Sequence, residues 1–151
     1  VRWHPVASDE PTTKIALRGP GGEIETLWAV DLGRDHYRLD NTPWYAYGIS
    51  WQDVVEAQPD EHGQLQFVKL VSKSGNRTVR ITAEQPFTDE LLQKVVSLGA
   101  TYEGANRRYI GINVPRELGL DVVTSFLINE GVTWEYADPT YEEVHGPRAA
   151  T

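Results

Sequence analysis

The sequence predicts an α+β fold whose two halves differ in character. Up to about residue 76, short segments alternate polar and apolar residues between Gly- and Pro-rich turns, a pattern typical of strands. After residue 77, strand-like segments alternate with two segments whose apolar residues recur at helical spacing. A chain of 151 residues is long enough to bury a core of ordinary size without disulfides or structural metal ions.

The first half, residues 13–76, is predicted to form a small antiparallel β-barrel or curled sheet. Gly19-Pro20-Gly21-Gly22 forces a turn, and Pro59-Asp60-Glu61-His62-Gly63 indicates a hairpin connection. Five short strands with loops of this kind favour a partly closed sheet. The strands are predicted at residues 14–18, 24–30, 36–39, 54–57 and 65–71.

The second half, residues 77–138, is predicted to be ferredoxin-like. Thr88 is the expected N-cap of a helix that has acidic residues in its first turn and ends at Gly99. A second helix is expected over residues 119–130. With strands at 78–82, near 102, at 109–114 and at 132–136, the element order is β-α-β-β-α-β.

The two ends of the chain lack periodic apolar patterns. Residues 1–12 are therefore predicted to be a flexible N-terminal segment, and residues 139–151 a loose tail. The sequence contains no cysteine, which excludes a disulfide framework, a thiolate metal site and a cysteine nucleophile. It also contains no apolar run near the roughly 20 residues that span a bilayer. We expect a cytoplasmic protein with no membrane association.

The charge distribution bears on the kind of partner. The formal net charge is -8, and it is divided evenly between residues 1–76 and 77–151. Such a chain repels a phosphate backbone on average, so nucleic-acid binding is disfavoured. We expect a protein partner and, more specifically, a basic protein. The chain itself is expected to be a monomer or, through a free sheet edge, a homodimer.

No motif for catalysis, metal binding or cofactor binding stands out. Ser50 follows Gly48-Ile49, but the nucleophile elbow needs a second glycine where Gln52 stands. The histidines lack the i, i+4 spacing of a helical metal site; they are His4, His36, His62 and His145. The sequence therefore predicts no catalytic residues, no metal and no cofactor.

An aromatic cluster between the predicted third and fourth strands supplies the candidate binding residues. Trp and Tyr dominate binding surfaces. The pattern nevertheless favours a hydrophobic plug for most of these rings, which closes the barrel or packs the two halves together and is completed by Trp28, Trp134 and Tyr136. One or two rings are then left as an exposed contact patch. Two carboxylates flank the cluster, and turn formation or capping explains them better than acid–base chemistry does. The candidates are Asp40, Trp44, Tyr45, Tyr47, Trp51 and Asp53.

Several segments resemble a known family. They are Leu27-Trp28-Ala29, the run from Tyr37 to Trp44, Gly48-Ile49-Ser50, Asp53-Val54-Val55 and the run from Ser74 to Arg80, with the densest stretch from Leu39 to Val55. Together they resemble the uncharacterised bacterial domain-of-unknown-function family DUF4265, over roughly residues 13–138. The resemblance implies a bacterial, cytosolic, single-domain protein and transfers no catalytic residues.

Three functional hypotheses remain. The first is an acidic, non-catalytic protein-interaction domain, in its sharpest form a bacterial toxin-neutralising (immunity-type) protein. The second is a small-molecule binder or enzyme with a pocket between the two halves, lined by Asp40, Tyr45, Tyr47 and Asp53. The third, nucleic-acid binding, rests on fold analogy alone. The sequence favours the first.

Overall fold

The computed structural model describes residues 10–148, which form two β-sheets with helices on the second. Of these residues, 42% lie in strands and 17% in helices, a mostly β content that fits the predicted α+β class. Most of the predicted flexible segment 1–12 lies outside the described residues. Thr12 already belongs to the first strand, and Glu10 forms an ion pair with Arg38 at 2.6 Å.

The first half is a closed five-stranded barrel. Strands adjacent in sequence pair antiparallel, whereas the first and last pair in parallel through Ile15–Leu65 and Ala16–Gln66. An up-and-down path of five strands leaves its ends pointing the same way, so the closing pair cannot be antiparallel. The strands are β1 (Thr12–Arg18), β2 (Ile24–Gly33), β3 (His36–Leu39), β4 (Val54–Pro59) and β5 (Leu65–Ser72).

The barrel interior is filled by residues that alternate along its strands. Leu27 and Ala29 of β2 are fully buried and meet Ile15 of β1 and Val55 of β4 in one apolar cluster. The turn between β1 and β2 places Gly22 at φ +88°, a conformation that side chains with a Cβ rarely adopt. Pattern and turn chemistry therefore both favour the hairpin that starts the barrel.

The second half is a four-stranded antiparallel sheet with strand order β7-β8-β6-β9. The Thr88 hydroxyl accepts a hydrogen bond from the Leu91 amide at 3.1 Å, which confirms the predicted N-cap. None of the described helices has the length and apolar composition needed to cross a membrane. The elements are β6 (Arg77–Thr82), α1 (Asp89–Ser97), β7 (Thr101–Asn106), β8 (Tyr109–Val114), α2 (Leu120–Asn129) and β9 (Thr133–Asp138).

The two faces of this sheet have opposite chemistry. One face is apolar and packs against the helices, with Val79 and Ile81 of β6 in contact with the cluster that contains Val95 and Leu127. Because side chains alternate along a strand, the other face receives the intervening residues. Its buried members are polar: Thr78, Arg80, Glu103, Asn113 and Asp138.

A third helix, α3 (Tyr141–His145), lies where the sequence predicts a loose tail over residues 139–151. It begins with a capping box, in which Thr140 Oγ1 accepts from the Glu143 amide at 3.3 Å and Glu143 accepts from the Thr140 amide at 3.0 Å. A search for apolar periodicity does not detect a helix of five residues. The spacing of Thr140 and Glu143 was the available signal.

Candidate functional site

The polar face of the second sheet is covered by residues 40–53, which link β3 to β4 and are called the connecting segment below. Arg80 of β6 is 2% exposed and donates from Nη1 to the Pro43 carbonyl at 3.2 Å and from Nη2 to the Ala46 carbonyl at 2.6 Å. Gly111 of β8 permits this approach, because a Cβ there would lie 3.1 Å from Thr42 Cγ2. The segment is therefore docked closely on the sheet.

Two buried glutamates accept the amide groups of the connecting segment. Glu25 of β2 accepts from the backbone amides of Trp44, Tyr45 and Ala46 at 2.8, 3.0 and 2.9 Å. Glu103 of β7 accepts from the Thr42 amide and, at 3.1 Å, from the Asn41 side chain. A buried carboxylate is tolerated when donors of this kind surround it, so both glutamates have a structural role.

A buried charge cluster anchors the far end of the connecting segment. Asp53 accepts from the amides of Ser50 and Ser74 at 2.8 and 2.7 Å and from Lys73 Nζ at 2.7 Å. Lys73 also forms an ion pair with Asp138. Burial lowers the pKa of Lys73, but hydrogen bonds and charges from Asp138 and Asp53 outweigh burial and raise it.

Ser50 is part of the same cluster and has no nucleophilic environment. Its hydroxyl donates to Asp138 at 2.6 Å and lies 2.7 Å from Thr78 Oγ1. An activated serine needs a general base and access to substrate. Ser50 is fully buried, and a carboxylate already engaged by Lys73 holds its hydroxyl in place. The cluster is suited to holding the two halves together.

The predicted candidate residues are not gathered around one cavity. Asp53 is fully buried, and Asp40 is nearly so, with Trp51 Nε1 at 3.5 Å from its carboxylate. Trp44, Tyr45 and Trp51 are half-buried, and Trp44 Nε1 donates to the Glu103 carbonyl at 3.2 Å. Tyr47 is exposed. Among the six, Tyr47 alone lines the groove described next, and their shared role in binding stays a prediction.

A groove of about 880 Å³ lies beside β9, between the end of α2 and α3. We call it the aromatic groove, because five of its eleven lining residues carry aromatic rings, which come from the connecting segment, β9 and α3. Its aliphatic member Ile128 is 62% exposed, so apolar surface is available to another molecule. The lining residues are Pro20, Tyr47, Ile128, Trp134, Glu135, Tyr136, Thr140, Tyr141, Glu142, His145 and Arg148.

One end of the aromatic groove is fixed by a buried arginine. The Arg80 guanidinium lies over the ring of Tyr47, 4.7 Å from its centroid, and Arg80 Nε is 3.3 Å from Glu135 Oε1. The Tyr47 hydroxyl donates to Glu135 Oε2 at 2.7 Å. Three charged or polar groups therefore hold one another in place, and the connecting segment contributes one of them.

The other end is built on α3. The rings of Tyr136 and His145 lie 5.7 Å apart, and those of Tyr141 and His145 lie 4.7 Å apart. Arg148 places its guanidinium 4.4 Å from the Tyr141 ring centroid and donates to Glu142 at 3.0 Å. The sequence had already singled out Trp134 and Tyr136, but it gave no role to the α3 residues because they fell in the predicted tail.

The phenols of Tyr47 and Tyr109 are weaker acids than a free tyrosine. Burial raises the pKa of Tyr47, and the hydrogen bond to Glu135 raises it further. Burial also raises the pKa of Tyr109 to about 12, and its hydroxyl donates to the Trp44 carbonyl at 2.5 Å. Both side chains stay protonated near neutral pH and act as hydrogen-bond donors. Across residues 10–148, no three His, Asp or Glu side chains form a group able to hold a metal ion.

Fold and site together define a mostly β protein, with a five-stranded barrel joined to a helix-backed sheet and an aromatic groove at the sheet edge. The model of the domain of unknown function DUF4265 matches residues 25–136. The chain therefore belongs to that family, which confirms the resemblance seen in the sequence. All of the connecting segment and β9 up to Tyr136 lie within the match, whereas α3 lies outside it.

A solved structure shares the fold. It is the crystal structure of a hypothetical protein from Neisseria gonorrhoeae, with 17% sequence identity and a TM-score of 0.72. The similarity covers 86% of this chain and 96% of that one. At this identity the likeness shows the fold alone. The curated proteins include no significant match to the sequence.

Proposed function

We propose that this protein is a non-catalytic protein-interaction domain that holds its partner in the aromatic groove. The observation that carries the proposal is the groove itself, which combines exposed aromatic and aliphatic surface with two glutamates. Interfaces favour aromatic anchors of this kind because they bury a large area and keep a polar tip. The buried carboxylates, by contrast, are occupied in holding the connecting segment.

The charge of the chain favours a basic partner. A net charge of -8 speeds encounter with a positively charged protein and disfavours nucleic acid. Neutralisation of a basic bacterial toxin is the specific form of the proposal, and acidity supports it. A cytoplasmic location and a monomeric or homodimeric state remain predictions from the sequence.

We also propose that residues 77–138 form a ferredoxin-like unit. Support comes from the element order β6-α1-β7-β8-α2-β9, the strand order β7-β8-β6-β9 and the packing of helices on one face. In this arrangement β9 is an end strand of the sheet. The groove beside it is therefore reachable by a partner without opening the fold.

The proposal is tested by quantitative capture with a matched pair of variants. Ile128 in the groove and Ile24 at the start of β2 are 62% and 60% exposed, so replacement by lysine changes charge and surface equally. We expect wild type and Ile24→Lys to retain the same protein from a lysate of the native bacterium. Ile128→Lys should retain about tenfold less. Equal capture by both variants would contradict the proposal.

A small-molecule ligand is the second candidate, and the groove volume favours it. About 880 Å³ lies within the range of known ligand pockets, roughly 300–1,000 Å³. The pocket expected from the sequence was different, since Asp40 and Asp53 are buried away from the groove. Native mass spectrometry of the protein purified from its own bacterium tests this candidate. A bound mass that Ile128→Lys loses and Ile24→Lys keeps would support it.

A further inference from the structure

The two ends of the aromatic groove repeat one arrangement of three side chains. At one end a guanidinium lies over a tyrosine and bonds a glutamate, through Arg80, Tyr47 and Glu135. At the other end the same chemistry recurs: the Arg148 guanidinium lies 4.4 Å from the Tyr141 ring centroid, and its Nε lies 3.0 Å from Glu142 Oε1. That second set consists of Arg148, Tyr141 and Glu142. Each of these two sites therefore holds an arginine side chain of the same chain.

The two arginines differ in how firmly they are held. Arg80 is 2% exposed and also donates to two carbonyls of the connecting segment, so it is part of the scaffold. The Arg148 side chain is 68% exposed. An exposed cation–π contact and an exposed ion pair are each weak, because water and salt compete for the charges. The guanidinium of Arg148 can therefore leave its site without disturbing the fold.

We propose that the site on Tyr141 and Glu142 is an arginine-binding subsite of the groove, which Arg148 occupies until an arginine of a basic protein partner replaces it. The inference rests on the proposed function and names the chemistry by which the partner is recognised. Arginine is favoured over lysine because a planar guanidinium can stack on a ring and bond a carboxylate at the same time. The acidic chain draws a cationic segment towards the groove.

The test is a titration of acetyl-Gly-Arg-Gly-amide followed through the backbone amide signals of Tyr141 and Glu142. We expect Arg148→Ala to bind this peptide about two- to fivefold more tightly than wild type, since the internal competitor is gone. Arg148→Lys should show part of that gain although its charge is unchanged. Tyr141→Ala should lose binding, and Tyr141→Phe, which keeps the ring, should retain it.

A matched control separates competition from bulk charge. Arg116 is an exposed arginine next to Glu117, outside the groove lining, and Arg116→Ala changes the net charge by the same amount as Arg148→Ala. We expect Arg116→Ala to bind the peptide as wild type does. An equal gain in both variants would overturn the inference, as would equal or tighter binding of the corresponding lysine peptide.

Failure here is distinguishable from failure of the proposed function. If Ile128→Lys loses a captured protein that Ile24→Lys retains, but the arginine peptide leaves Tyr141 and Glu142 unshifted, the groove binds its partner by other contacts and the inference is overturned. If capture is also equal between the two lysine variants, the groove itself is not the binding surface.

Discussion

Lys73, the first residue after β5, forms an ion pair with Asp138, the last residue of β9. This pair joins the end of the barrel to the end of the second sheet. Asp53 shares the same ammonium group at 2.7 Å. One lysine is therefore the counter-charge of two buried carboxylates, and the amides of Ser50 and Ser74 and the Ser50 hydroxyl supply further donors. Together with the bonds from Arg80 and Glu103 to the connecting segment, this link holds two sheets without a shared strand in a defined arrangement.

Replacing Lys73 should destabilise the protein. Lys73→Met leaves Asp53 and Asp138 buried without their counter-charge, which costs about 3–5 kcal/mol for a fully buried pair. Because Lys73 is 39% exposed, water offsets part of this, and we expect a loss of about 2 kcal/mol. Urea unfolding of wild type and Lys73→Met measures this loss of unfolding free energy. Lys94 forms exposed ion pairs with Glu130 and Glu90 at 3.6 and 3.7 Å. The control variant Lys94→Met should therefore lose less than about 0.5 kcal/mol of unfolding free energy.

The stabilisation from Lys73 should disappear at high pH. Its pKa is raised in the folded protein, so the folded state holds the proton more tightly than the unfolded chain. The contribution is complete below the ordinary value of 10.5 and is lost as the pH rises through the folded-state value. The difference in unfolding free energy between wild type and Lys73→Met should therefore shrink above pH 10.5.

Gly111 should resist substitution. A Cβ at this position would lie 3.1 Å from Thr42 Cγ2 and 3.3 Å from the Pro43 carbonyl, which Arg80 holds in place. We expect Gly111→Ala to cost about 1–3 kcal/mol in thermal or urea unfolding, as overpacking does elsewhere. Thr42→Ser removes the nearer methyl group. The double variant should recover part of the loss, and strictly additive effects would contradict the proposed close approach.

The capping box of α3 should make the groove sensitive to acid. Hydrogen bonds from the backbone and side chain of Thr140 lower the pKa of Glu143 below its ordinary 4.5. This stabilisation is present above pH 4.5 and is lost as the pH falls through the lower folded-state value. We expect lower protection factors for the α3 amides under those conditions, once the rates are corrected for the slower intrinsic exchange at acid pH. Thr140→Ala should show the lower protection already at neutral pH, while the α1 amides, capped by Thr88, should not change.

The sequence predicted the elements better than it predicted their surroundings. Alternation in β1 and β2 and the cap at Thr88 depend on local chemistry, which a single sequence contains. The segment that packs against a sheet face is not determined by local chemistry. Arg80 and Thr78 alternate with Val79 and Ile81, a pattern that indicates one solvent-exposed face of the sheet. In the structure, however, the connecting segment covers that face. Long-range docking of a loop has no local signal.

Glu25 is an exception, because its position held a usable signal. It shares its strand face with Leu27 and Ala29, both buried, so period-two alternation places its carboxylate inward. A buried carboxylate needs several donors, which the amides of residues 44–46 supply. Tyr47 is one of the predicted binding residues and is exposed, but Tyr141 and His145, which line the same groove, come from a helix too short to detect by periodicity.

Hydrogen exchange of the protein with and without its captured partner would locate the binding surface. The groove proposal predicts slower exchange in three places, at the end of α2 around Ile128, in β9 and in α3, with β5 unchanged. The outer residues of β5 form a suitable internal reference, since Val68 and Leu70 are exposed and lie outside the groove lining. Slower exchange confined to β5, with Ile128, β9 and α3 unaffected, would show that the partner binds the barrel and that the aromatic groove is not its site.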